Sequence, residues 1–215
     1  MSSSKRKAPD PSRPRVMMVT GASSGLGAHI VKHFTSQGWI VAALARGDTQ
    51  LRAVCDAAGP NAHPLQCDVA DKVQVAAAVD TVIKEHGQID CLVNNAAVSH
   101  DGKKFWELEL EDIDRLIDIN LKGSMYVTQL VMKRAMVPAN EGFIIGIASV
   151  AGTWGIPNES CYVASKHGMV GFMDTIANET RDTGICVSTI CPGGIDTPWW
   201  RSDHPYGDGK THEDR

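Results

Sequence analysis

From Val16 onward the chain switches repeatedly between two hydrophobic periods. Short runs that are apolar throughout fall at Val16–Thr20, Ile40–Ala45, Cys91–Asn94, Gly142–Ala148 and Ile185–Cys191, with a weaker run at His63–Cys67. Positions that are apolar in succession, rather than every second one, suit strands covered on both faces. Between them lie stretches of helical character: Leu26–Gln37, Thr49–Ala58, Val73–Glu85, a long one from Asp112 to about Met136, and Tyr162–Arg181. Gly38, Gly59-Pro60, Gly87 and Gly184 punctuate the helix ends. Strand–helix alternation of this kind predicts an α/β fold with a parallel sheet, and right-handed crossovers make that sheet doubly wound. No internal repeat or second domain is visible. The pattern predicts one domain over residues 15–215, preceded by a disordered tail at residues 1–14, which are rich in Ser, Pro and basic residues.

Composition narrows the function. Hydrophobic residues make up 43% and charged residues 21% of the 215 positions, an ordinary globular balance. A net charge of −4 gives no reason to expect nucleic acid or an anionic membrane surface as a partner. No apolar run approaches the roughly 20 residues that span a bilayer, and the first residues lack the apolar segment of a secretory signal. The six cysteines show no metal-like spacing and the eight histidines are dispersed, so no metal site is expected. Buried free thiols in a reducing cytoplasm are the plain reading.

The first run leads straight into Thr20-Gly21-Ala22-Ser23-Ser24-Gly25-Leu26-Gly27, with a helix to follow. Glycines in a strand–turn–helix context let the backbone approach a pyrophosphate, whose charge is met by backbone N–H groups and the positive end of the helix dipole. In dinucleotide sites an acidic residue about 20 residues on selects NAD. Here Ala45 is followed by Arg46, and a guanidinium there suits the 2′-phosphate of NADP, so NADP is favoured over NAD.

Tyr162-Val163-Ala164-Ser165-Lys166 places a phenol and an ammonium one turn apart on a helix, facing one site. A free tyrosine, with a pKa of about 10, is a poor base at neutral pH. A neighbouring cation is expected to favour the phenolate and bring it into range for acid–base work. Ser149 closes the fifth run, where ligands of open parallel sheets bind. Asn120 sits in mid-helix against propensity.

These features together resemble the short-chain dehydrogenase/reductase family, over about Arg15 to Thr197. The resemblance implies a Rossmann fold and a nicotinamide-dependent oxidoreductase with Asn120, Ser149, Tyr162 and Lys166 as its catalytic residues. Cofactor contacts are implied for Gly21, Ser23, Ser24, Gly25, Leu26 and Gly27, for Arg46, and for Asp68 and Val69 beside the adenine. They are implied as well for Asn95, Ala96 and Ala97, for Tyr162 and Lys166, and for Pro192, Gly193, Ile195 and Thr197. In the implied reaction Ser149 and Tyr162 bind the carbonyl oxygen of a small carbonyl or alcohol substrate. Tyr162 supplies the proton, Lys166 holds the ribose and lowers the phenol pKa, and the Asn120 amide helps hold a water. A homodimer or homotetramer is also implied. Substrate choice is expected in Val98–Leu108, Val150–Cys161 and the segment after Gly194, where Trp106, Trp154, Trp199 and Trp200 hint at an apolar or ring-bearing substrate.

The chain departs from the family after the Pro192-Gly193 motif. No strand-like run follows Thr197, so the final strand is expected to be missing and the sixth to form an apolar edge. Two other functions stay open: a nucleotide-binding regulator on the same fold, and a fragment that binds cofactor without turnover.

Overall fold

The computed structural model describes residues 13–99 and 102–197. Six strands form one sheet: β1 (Val16–Thr20), β2 (Ile40–Ala45), β3 (Ala62–Gln66), β4 (Cys91–Asn94), β5 (Gly142–Ile147) and β6 (Ile185–Ile190). Their order is β3-β2-β1-β4-β5-β6 and every pairing is parallel. The crossovers carry α1 (Gly25–Ser36), α2 (Asp48–Ala58), α3 (Lys72–His86) and α7 (Ser160–Glu179). The long run after β4 is a composite of α4 (Leu110–Ile117), a π-helical stretch Asp118–Gly123, α5 (Ser124–Val131), a second π-helical stretch Met132–Met136, and α6 (Val137–Ala139). The α/β, doubly wound expectation is met, with the strand bounds nearly those read from the apolar runs.

Alternation along β1 explains why its first four residues are all apolar. Val16 and Met18 join one core with Val79, Val127 and Met169, while Met17 and Val19 join another with Val31 and Leu51. All four β1 side chains are at most 1% exposed. Helices therefore cover both faces of the central strands. At β6 the cover thins, and Ile190 is 48% exposed. Among the described residues β6 pairs only with β5.

One boundary is corrected. Arg13 and Pro14, assigned to the disordered tail, are part of the ordered body. The Arg13 guanidinium donates to both carboxylate oxygens of Asp90 at 2.9 and 3.0 Å, and Asp90 also accepts from the Val16 amide at 2.7 Å. A bidentate charge-assisted pair holds the chain where the local sequence, rich in Ser and Pro, offered no apolar anchor. Residues 1–12, and the segment Trp199–Arg215 on which the absent last strand was read, lie outside the described residues.

Candidate active site

Between β1 and β4 the strand order reverses direction, and a crevice opens beyond the carboxyl ends of the strands. A cavity of about 770 Å³ occupies it. Its floor is the glycine turn. Gly21 has φ +64°, and a Cβ there would lie 2.7 Å from the Ala96 Cα. A Cβ on Gly27 would run into the Gly21 carbonyl oxygen and lie 2.7 Å from Asn95 Nδ2. Only hydrogen fits at either position.

Two polar side chains shape this turn, and neither role was visible in the local sequence. Thr20 Oγ1 accepts from the amides of Asn95 and Ala96, both at 3.0 Å. The Asn95 amide donates to the carbonyls of Thr20 and Gly21 at 2.9 and 3.1 Å. The Asn95 side chain thus acts on the turn itself. Helix α1 has no acidic residue in its first turn and no side-chain cap from Ser24, leaving its first N–H groups to face the cleft. A polyanion fits this cradle on electrostatic and steric grounds. Thr197 returns to the same place, its Cβ lying 3.4 Å from where a Gly25 Cβ would be.

All the residues expected around a cofactor line the cavity, from Gly21 through Thr197, as do Ser149, Tyr162 and Lys166. Arg46 stands exposed at the end of β2, while Asp48 is committed to Arg52 at 2.7 Å. Asp68 accepts from the Ala70 amide at 3.0 Å in a tight turn, and the cap of α3 is Asp71 instead.

The catalytic candidates come from two elements. Ser149 follows β5, and its Oγ accepts from the Ala151 amide at 3.1 Å. Tyr162 and Lys166 lie on α7, with the Lys166 Nζ 5.6 Å from the phenol ring centroid. Burial dominates the electrostatics of the pair. Burial pushes the Tyr162 phenol above its ordinary value, a Ser149 hydrogen bond pulls it down, and the Glu159 charge pushes it up again. The Lys166 ammonium is 3% exposed and donates to the Ile147 carbonyl at 2.9 Å. Burial lowers it to about 8, which weakens it as a permanent cation.

Asn120 stands apart from these three. It does not line the cavity but turns inward from the π-helical stretch, 1% exposed. Its Oδ1 accepts from the Val98 amide at 2.8 Å, and its Nδ2 donates to the Val98 carbonyl at 2.9 Å and to Ser165 Oγ at 3.1 Å. Both amide protons are spent, so this side chain braces the loop after β4 against α7 and has no donor left for a water. Ser165 completes the brace by donating to the Tyr162 carbonyl at 2.8 Å.

Of the four loop tryptophans, two lie within the described residues. Trp106 and Trp154 are 77% and 57% exposed and neither lines the cavity, whereas Ser99, Ile156 and Glu159 do. Trp199 and Trp200 lie outside the described residues. Burial raises the Cys67 thiol to about 11 and that of Cys91 to about 12, leaving these two as inert apolar fillers. Folding does gather His63, Glu85 and His86 so that their ligand atoms lie within 4.8 Å of one another. The group sits by the first residues of β3, at the opposite end of the sheet from the cleft. Among the described residues no helix is long and apolar enough to cross a membrane.

The same arrangement recurs in known proteins. A sequence model of the short chain dehydrogenase family matches residues 15–205. The 3beta-hydroxysteroid dehydrogenase of Mediterraneibacter gnavus is 34% identical over 187 residues, covering 86% of this chain and 67% of that protein. The putative ketoacyl reductase of Streptomyces coelicolor is 37% identical over 187 residues, covering 85% of this chain and 71% of that protein. Among solved structures, an actinorhodin polyketide ketoreductase variant with NADPH superposes with a TM-score of 0.83 at 37% identity, over 86% of this chain and 72% of that one.

Proposed function

The chain belongs to the short-chain dehydrogenase family, and from that premise we propose that it moves a hydride between NADP(H) and a carbonyl or secondary alcohol, with Tyr162 as the general acid–base group. Its class is that of an NAD(P)-dependent oxidoreductase acting on CH–OH and C=O groups. The observation that carries the finer reading is the convergence of Ser149, Tyr162 and Lys166 on the cavity whose floor is the glycine turn.

The bound dinucleotide supplies the hydride chemistry, and the protein orients and polarises. Gly21 to Gly27 and Thr197 hold its phosphates, and Arg46 pairs with a 2′-phosphate. Ser149 orients the substrate oxygen by a hydrogen bond. Tyr162 then transfers its phenolic proton to that oxygen. A phenol held above its ordinary value stays protonated at neutral pH, which suits a proton donor in carbonyl reduction. Lys166 anchors the cleft wall through Ile147 and presents its remaining donors to the ligand. Asn120 is a positioning residue, acting through Val98 and Ser165.

The test combines binding and turnover. The wild type is expected to bind NADPH more tightly than NADH and to oxidise NADPH with members of a ketone panel. Tyr162→Phe should lose on the order of a hundredfold or more in kcat, the usual scale of a general acid, while NADPH binding stays nearly intact. Near-normal turnover by that variant would overturn the role of Tyr162. NADPH binding without turnover on any ketone would instead favour a regulator or an inactive fragment.

A further inference from the structure

We propose that His63, Glu85 and His86 form a site for a divalent cation of the Zn²⁺ class, held by two imidazole nitrogens and one carboxylate oxygen. The site lies at the opposite end of the sheet from the cleft, so the inference does not rest on the oxidoreductase reading. One ligand atom from each residue lies within 4.8 Å of the other two. His63 is the second residue of β3, and Glu85 and His86 close α3. A bound ion would clip the strand to the helix that follows it.

Both periodicities place the imidazoles face to face. Ala62 joins the core that α1 and α2 cover, so His63, one position on, shares the other face of the sheet with Leu65, under α3. Along α3 the buried stripe runs through Val75, Val79 and Val82, and His86 is its next position, four residues on. An imidazole thus stands where the helix period calls for an apolar side chain. The two rings meet edge to face with centroids 5.1 Å apart, and the His86 side chain is only 13% exposed.

The nitrogens brought together here are unspent. A neutral imidazole offers one N–H and one lone pair. Among the described residues neither side chain makes a hydrogen bond, and Glu85 Oε2 lies 3.8 Å from His86 Nε2, too far for one. Partly burying such groups without partners is costly, and a cation that takes both lone pairs removes the cost. Glu85 contributes a negative charge, and the C-terminal end of α3, closed by left-handed Gly87, adds the negative end of the helix dipole. Lys84, the other cation of that turn, is exposed. Bonds of 2.0–2.2 Å in a tetrahedral zinc site set ligand atoms roughly 3.3–3.6 Å apart, so these groups have to draw in by at most about 1.5 Å. Glu85 is exposed and His86 is the last helical residue, where such a shift disturbs little packing. Water would take the fourth position. Among the described residues β3 pairs only with β2, so the ion would fasten an edge strand.

The experiment uses the full chain, free of any histidine tag and treated with chelator, and titrates it with Zn²⁺ alone by calorimetry. One ion per chain is expected. At a hundredfold excess over Kd the Tm should rise by roughly 5–10 °C, because the folded state binds the ion and the unfolded chain does not. His63→Ala and His86→Ala should each weaken binding by about tenfold or more. Glu85→Gln alters an exposed side chain and keeps both rings, so it serves as the test even if a histidine variant fails to fold; it should also bind more weakly than the wild type. Co²⁺ in place of Zn²⁺ reports the donor atoms, and visible bands without a thiolate charge-transfer band are expected. A thiolate band would move the ion to the cysteines and overturn the site. So would an affinity that all the folded variants share with the wild type, or no uptake at all. None of these outcomes bears on whether the chain turns over a ketone.

Discussion

Arg46 and Asp48 lie two positions apart at the end of β2, yet the fold treats them differently. Asp48 opens α2 and pairs with Arg52 one turn on, whereas the Arg46 guanidinium stands exposed at the rim of the cavity. That division favours a doubly charged phosphate over a ribose hydroxyl at this rim, because the local carboxylate is already engaged. Replacing Arg46 by Ala should weaken NADPH binding on the order of tenfold, the scale of one lost charge-assisted hydrogen bond, and leave NADH nearly unchanged. Fluorescence titration with both cofactors checks this, and an equal loss for both would assign Arg46 to the adenosine they share. The residues that sequence could name were those tied to a local motif: the glycines, Ser149, and the tyrosine and lysine one turn apart. What it missed were pairings between residues far apart along the chain. Thr20 and Asn95 are 75 positions apart, Asn120 and Ser165 are 45 apart, and Ser99 and Glu159 are 60 apart. No local pattern carries such pairings.

The elements were legible because the central strands are apolar on both faces and the helices are not. Strand bounds differ from the apolar runs by a residue or so, as at β5 and β6, where Ala148 and Cys191 lie just past the last ladder pair. The composite run after β4 was the exception. Periodicity near 3.6 residues reads through a π-helical turn without registering it, so Asp118–Gly123 looked like ordinary helix. That turn aims Asn120 at Ser165 and ties the run to α7. Ser165→Ala would leave a buried Nδ2 proton of Asn120 unpaired and cost about 1–3 kcal/mol of stability. It should also lower kcat more than it raises KM, since the carbonyl of Tyr162 loses a bond while the ligand-facing surface is kept. Denaturation midpoints and steady-state kinetics on one preparation would show both effects. A stability loss with unchanged kcat would confine Ser165 to packing.

At the scale of the whole molecule the site is a seam. One side comes from β1, β2 and their turns, the other from β4, β5 and α7, and the Thr20–Asn95 bonds close it. Asn95→Ala would strip the Thr20 and Gly21 carbonyls of their donor, costing about 1–3 kcal/mol. It should weaken NADPH binding more than it lowers Tm in the absence of cofactor, because the lost bonds shape the cradle; calorimetric titration beside thermal denaturation compares the two. The strand order has a further consequence, in time rather than in space. β1 pairs with β2 after a short local crossover, but its other edge must wait for β4, whose register partners lie some 74 positions later in the chain. Closing so long a loop is slow and entropically costly compared with forming the neighbouring βαβ units. During synthesis the glycine turn therefore leaves the ribosome well before the residues that shape it, and no nascent chain shorter than Asn95 can present a finished cradle. Binding competence follows the closure of that second edge and cannot precede it.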